Sequence, residues 1–205
     1  MNIGFFGDEG SGKTLLSVFF TVLELRRIPN TIVITNMKDF KFKDRDFNKD
    51  FINIMNEIRA NRSLLSINRI LLIDEINNYI DNRESGTKKN IYITKKLVQI
   101  RKFKMTLFYT SVIYNTIDIR LKRITNYVVN CNEYDDTNSV ISTDLLDKYG
   151  NFIKKMKIHI PKSFYNIYNT FEDIDENVDF IPQKTKSNNK RVNLDDLKEV
   201  VIDRT

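Results

Sequence analysis

Eight consecutive residues near the amino terminus, Gly7-Asp8-Glu9-Gly10-Ser11-Gly12-Lys13-Thr14, carry the spacing G-x-x-x-x-G-K-T. That spacing suits a loop that wraps a phosphate. Successive backbone N–H groups must curve around the anion, and a Cβ at Gly7 or Gly12 would obstruct the curvature. A helix beginning near Lys13 would add the positive end of its dipole. Lys13 is placed to reach the β- and γ-phosphates of a nucleoside triphosphate, and the Thr14 hydroxyl to ligate Mg²⁺. Asp8 and Glu9 are acids beside a polyanion, so their side chains must point away from it. The whole segment, Gly10 and Ser11 included, is the expected nucleotide-binding loop.

A second cluster lies in mid-chain. "RILLID" (Arg69–Asp74) is an apolar run ending in an acid, and Glu75 comes next. Such a run fits a strand buried on both faces. Open α/β sheets present their ligands at the carboxyl ends of strands. Asp74 would there hold Mg²⁺ through water, opposite Thr14. Glu75 would orient a water and take its proton during attack on the γ-phosphorus. The acid pair also separates reaction types. The chain has no D-x-x-G after this strand and no N-K-x-D for guanine; "NMKD" at Asn36–Asp39 has a different order. A nucleotide or small-molecule kinase needs no water-activating glutamate, because its substrate is the nucleophile. Hydrolysis of ATP is the expected reaction, with such a kinase as the alternative.

Further polar groups follow. "LFYTS" ends a strand candidate in Thr110 and Ser111, where a hydroxyl could sense a γ-phosphate. "IDIRLKRI" places Arg120 and Arg123 three residues apart, on one face of a short helix. Either could serve a neighbouring subunit's site as an arginine finger, an effect of about 10³–10⁵ in rate. Arg83 is a less favoured alternative. Lys95, Lys96, Arg101, Lys102 and Lys104 make the preceding helix candidate basic, and with Lys88 and Lys89 they could track a DNA backbone. His159 is the lone histidine and reads as structural. No His/Cys metal cluster exists.

These groups need a scaffold. Asn2–Phe6 reads as a strand, Thr14–Arg26 as a helix, "NTIVITN" (Asn30–Asn36) as a strand, and residues 38–50 as a charged loop. Phe51–Ala60 and Ile91–Phe103 read as helices, and Met105–Ser111 and Asn126–Cys131 as strands. Alternation to residue 131 argues a mostly parallel sheet with helices on both faces. Strand-like runs on either side of Tyr149-Gly150-Asn151 suggest a hairpin. Lys184–Arg191 reads as a linker, and "NLDDLKEVV" as a last short helix.

The chain has 205 residues, a net charge of +6 and a single cysteine, Cys131. An internal disulfide is excluded, and a reducing, cytoplasmic setting is expected. No apolar run approaches the roughly 20 residues of a membrane span. No signal peptide is evident. The positive charge makes nucleic acid a candidate partner.

In order, the phosphate loop, "TIVITN", "LLIDE", the basic helix, "LFYTS" and "IDIRLKRI" resemble the FtsK–HerA superfamily of ATP-driven DNA pumps. Within it they are similar to the genome-packaging ATPases of icosahedral viruses with an internal membrane, as is "FYNIYNTFEDI" near the end. The resemblance spans roughly residues 1–175 and is carried by Gly7, Gly12, Lys13, Thr14, Asp74 and Glu75. It implies an α/β P-loop NTPase domain over 1–175, with a β-hairpin, and a short C-terminal extension over 176–205. It implies ATP and Mg²⁺, a homo-oligomeric ring, usually a hexamer, around double-stranded DNA, and capsid-vertex or portal-like partners. The strand-end glutamine common in the superfamily is replaced here by Ser111 or Val112. The zonular-occludens-toxin-like proteins of filamentous phages share "TNM"-like residues after the second strand, but they carry a membrane span without a counterpart here. The expected function is packaging of a viral genome by an ATP-hydrolysing translocase, with a zonular-occludens-toxin-like phage assembly ATPase as a further alternative. For the adenine, position suggests stacking on Tyr165 or Tyr168.

Overall fold

The computed structural model describes residues 1–80, 87–169 and 202–203. Its strands are β1 (Asn2–Phe6), β2 (Ile32–Thr35), β3 (Arg45–Asp46), β4 (Arg69–Ile73), β5 (Met105–Ser111), β6 (Tyr127–Asp135), β7 (Val140–Asp147), β8 (Phe152–His159) and β9 (Ile202–Asp203). They form one sheet in the order β3-β2-β4-β5-β1-β6-β7-β8-β9. Every pairing from β3 to β6 is parallel, and every one from β6 to β9 is antiparallel. The helices are α1 (Lys13–Arg27), α2 (Phe47–Ala60), α3 (Lys88–Leu97) and α4 (Ile119–Ile124). The expected α/β architecture is present, hairpin included.

Strand alternation divides the core into two layers. Ile70 and Leu72 of β4 face the α1 side, with Leu16, Phe19 and Val22. Leu71 and Ile73 face the other side, with Phe51 and Met55 of α2, Leu97 of α3 and Leu121 of α4. β4 is buried along its whole length, which its unbroken apolar run requires.

Four elements depart from the sequence reading, the first being β3, which falls inside the expected charged loop and pairs with β2. α2 begins at Phe47 inside the expected loop, because the Asp46 side chain accepts from the N–H groups of Asn48 and Lys49 and caps it. Phe47 and Phe51 then stack one turn apart, with ring centroids at 5.0 Å. The basic helix stops at Leu97 and gives way to a 3-10 turn over Ile100–Phe103. β6 runs on past Cys131 to Asp135, because β7 pairs with it that far, with a register shift between Cys131 and Glu133. The segment around Arg83, the expected boundary near residue 175 and the expected last helix lie outside the described residues.

Candidate nucleotide site

β1, β4 and β5 are parallel, so their carboxyl ends share one edge of the sheet. Phe6 pairs with Ser111, and Ile73 with Tyr109. β5 lies between the strand that precedes the glycine loop and the strand that precedes the acid pair. It therefore delivers Thr110 to the gap between them.

The loop leans on β6 and β7. Gly7 has φ +147°, and a Cβ there would stand 2.4 Å from the Cys131 carbonyl oxygen. Gly12 has φ +83°, and a Cβ there would stand 2.8 Å from Ile141 Cδ1. Gly12 sits at the N-cap of α1 without a side-chain cap, which leaves first-turn N–H groups open to an anion. Lys13 is buried across the mouth of the loop, its Nζ 3.4 Å from the Asp8 carbonyl oxygen. Asp8, Glu9 and Gly10 are exposed, so both acids project into solvent as expected. Beneath the loop, burial pushes the Cys131 thiol up to about 12, which makes it a packing residue.

Two hydroxyls join the halves of the site. Thr14 Oγ1 donates to Asp74 Oδ1 at 2.9 Å, and Thr110 Oγ1 donates to the same oxygen at 2.5 Å. Thr110 also accepts from the Glu75 N–H at 2.8 Å. Burial pushes the Asp74 carboxyl up, and the hydrogen bonds from Thr110 and Thr14 oppose that shift. Glu75 is half-buried in the left-handed region, with φ 50° and ψ 58°. Its Oε2 accepts from Asn78 Nδ2 at 3.4 Å.

Asn36 carries a role that the sequence did not disclose. Its Nδ2 donates to the Asp74 carbonyl at 2.8 Å, and its Oδ1 accepts from the Asp74 N–H at 2.9 Å. The side-chain amide at the end of β2 thus continues the β2–β4 ladder and fixes the acid's backbone. The local signals were an amide at a strand end and its place in "TNM", and neither points to Asp74 as its partner.

The remaining candidates lie elsewhere. Ser111 is buried, and its Oγ donates to the Ile113 carbonyl at 3.4 Å. Arg120 is ion-paired with Asp118, Nη2 to Oδ2 at 2.6 Å, which holds the Asp118 carboxyl below the usual carboxylate range. Arg123 and Arg120 share a small pocket with Lys95. Arg123 also lines a groove with Met1 and Asn2, at the opposite end of β1 from Gly7. Tyr168 packs in the core and is unavailable as a base platform. Tyr165 is partly buried, with its hydroxyl bonded to that of Tyr134, beside the Gly12 end of the loop. His159 is exposed on β8.

The residues present fit a magnesium nucleotide. Ser11 Oγ is buried in the loop without a hydrogen-bond partner, a donor left for a phosphate oxygen. The loop forms a cradle that a Cβ at Gly7 would fill. Thr14 and Asp74 form a hydroxyl–carboxylate pair suited to Mg²⁺.

No protein-family model matches the chain, and no curated protein matches it. Solved structures do. The N-terminal domain of zonular occludens toxin from Neisseria meningitidis superposes with a TM-score of 0.58 at 15% identity, over 82% of this chain and 98% of that one. The pCW3 conjugation coupling protein TcpA, with ATPγS, gives 0.56 at 11% identity, over 79% of this chain and 61% of that one. The genome-packaging NTPase B204 of Sulfolobus turreted icosahedral virus 2, with ATP-γS, gives 0.51 at 12% identity, over 78% and 96%. The likeness is one of fold, that of a P-loop NTPase. In this P-loop fold the phosphate loop and the acid pair flank one strand, β5, and meet through Thr14, Thr110 and Asp74.

Proposed function

We propose that the protein is an ATPase that couples hydrolysis to movement of double-stranded DNA, in the service of genome packaging. The observation that carries the ATPase reading is the Thr14–Asp74 hydrogen bond, which brings the two motifs to one point with Glu75 adjacent. The N–H groups from Gly7 to Thr14, the Ser11 hydroxyl and Lys13 would bind the phosphates. Thr14 and Asp74 would hold Mg²⁺, which when bound neutralises charge on the β- and γ-oxygens.

Glu75 acts as general base. A water held by its carboxylate loses a proton to an Oε as its oxygen bonds to the γ-phosphorus. The bond from that phosphorus to the β–γ bridging oxygen breaks, leaving ADP and phosphate. Thr110, bonded to both Asp74 and the Glu75 N–H, positions the acid pair and reports on its occupancy. Ser111 stands next to it as the second sensor candidate. A ring neighbour would supply Arg123 or Arg120 to the γ-phosphate, and Arg120 would first have to leave Asp118. The ATPase domain would occupy residues 1–175, with 176–205 as an extension.

The DNA part draws on the net charge of +6 and on the likeness to a packaging NTPase and a conjugation coupling protein. ATP turnover, measured with and without duplex DNA over a salt series, tests it. Turnover should rise with duplex, and the rise should fade steeply with salt. Turnover indifferent to DNA would contradict the translocase reading. Transfer of the γ-phosphoryl group to an acceptor other than water would favour a kinase.

A further inference from the structure

A second concavity opens at the amino ends of the parallel strands, away from the nucleotide site. It encloses about 1120 Å³. Met1 and Asn2 floor it; its walls come from the turn after α3, the end of α4, the start of β6 and the β7–β8 turn. Four exposed cations converge there from three elements: Arg101 and Lys104, Arg123, and Lys148. Among the described residues none of the four is ion-paired with a carboxylate. The wall holds one acid, Asp147, and its oxygens are engaged by the turn itself. They accept from the N–H groups of Tyr149 at 2.8 Å and Asn151 at 2.9 Å, and from Asn151 Nδ2 at 2.9 Å. Two tyrosines are exposed on the rim, Tyr127 at 40% and Tyr149 at 77%. Lys148 Nζ lies 4.8 Å from the Tyr149 ring centroid.

We propose that this groove binds the sugar–phosphate backbone of duplex DNA, an inference that rests on the reading of the protein as a DNA-dependent ATPase. The chemistry favours phosphates. Two guanidinium forks and two ammonium groups surround a hollow in which one carboxylate already serves its own turn. The concave shape suits a polyanionic strand better than a flat lipid surface. Tyrosine hydroxyls and ring faces add contacts to phosphate and sugar. The placement separates the two ligands within one chain: β1 lies between them, so neither occupies the other's site.

Binding of a fluorescent duplex by the full chain, followed by anisotropy over a salt series, tests the proposal. Arg101→Glu with Lys148→Glu should weaken binding about tenfold and lower the log–log salt slope by about 1.8, the loss of two phosphate contacts. Lys154→Glu with Lys155→Glu changes net charge equally, on exposed positions of β8 outside the groove. That pair should change affinity less than about twofold. Both pairs should keep DNA-free ATP turnover. If the first pair does not fold, Arg101→Gln with Lys148→Gln should give the same slope change. Equal losses from both surfaces, or none from the groove, would overturn the groove while DNA binding by the unaltered chain stands. Displacement of the duplex by polyglutamate at equal charge concentration would also overturn it, in favour of an acidic protein. No binding of duplex by the unaltered chain at low salt would overturn the DNA reading and the groove together.

Discussion

Glu75 sits in a conformation that an L residue adopts at a cost of about 1–2 kcal/mol. Its surroundings enforce it. The Glu75 N–H donates to Thr110, and its carbonyl accepts from the Asn78 N–H at 3.0 Å. The strain aims a carboxylate where the β4 strand alone would not. Glu75→Gly should therefore raise stability, by up to about 1 kcal/mol after the extra chain entropy of glycine, while abolishing hydrolysis. Chemical denaturation against Glu75→Gln, which keeps the strain, checks this; a less stable glycine variant would contradict it. At this scale much was legible in the sequence. Gly7, Gly12, Lys13 and Thr14 act through a local spacing, and a local spacing can be read directly. Asn36 was not legible as a site residue, because its partner Asp74 lies 38 positions away. Asp118 lies two positions from Arg120, so their ion pair too belongs to a local spacing.

Elements deliver these residues through register. The Asn36 amide at the end of β2 makes a two-bond clamp on the Asp74 backbone, so β2 and β4 are locked just where the acid leaves the sheet. Asn36→Ala would leave a buried N–H and a buried C=O unpaired, at a cost of about 2–4 kcal/mol. It should also lower turnover more than ATP affinity, because the acid pair loses its anchor while the glycine loop stays intact. Denaturant melts and a kcat-against-KM comparison check both parts; a stability change below about 0.5 kcal/mol would contradict the clamp. Elements were legible where one layer decided them. Met105–Ser111 appears as read, and the Arg69–Asp74 run forms a strand over Arg69–Ile73, since largely apolar runs fix buried strands. The second half of β6, "NEYD", is polar, and only its ladder to β7 makes it a strand. The start of α2 depended on a cap at Asp46 inside a charged stretch that looked like a loop.

At the scale of the molecule, the sheet separates two kinds of site. Its carboxyl edge gathers the glycine loop, Thr110 and the acid pair, and its amino edge gathers Arg101, Lys104, Arg123 and Lys148. The alternation of strand and helix predicted the parallel half. The β7–β8 hairpin was legible around Tyr149-Gly150-Asn151, whereas the β6–β7 and β8–β9 pairings, and the bracing of the loop by Cys131 and Ile141, emerge only from the fold. No helix among the described residues is long and apolar enough to cross a membrane. The central claim is that one ATP is held by the loop and hydrolysed by the acid beside it. ATP binding and turnover measured on Glu75→Gln test it most directly. Affinity within a few-fold of the unaltered chain with turnover reduced about 10²–10⁴-fold is the predicted result. Turnover that survives the substitution would contradict it.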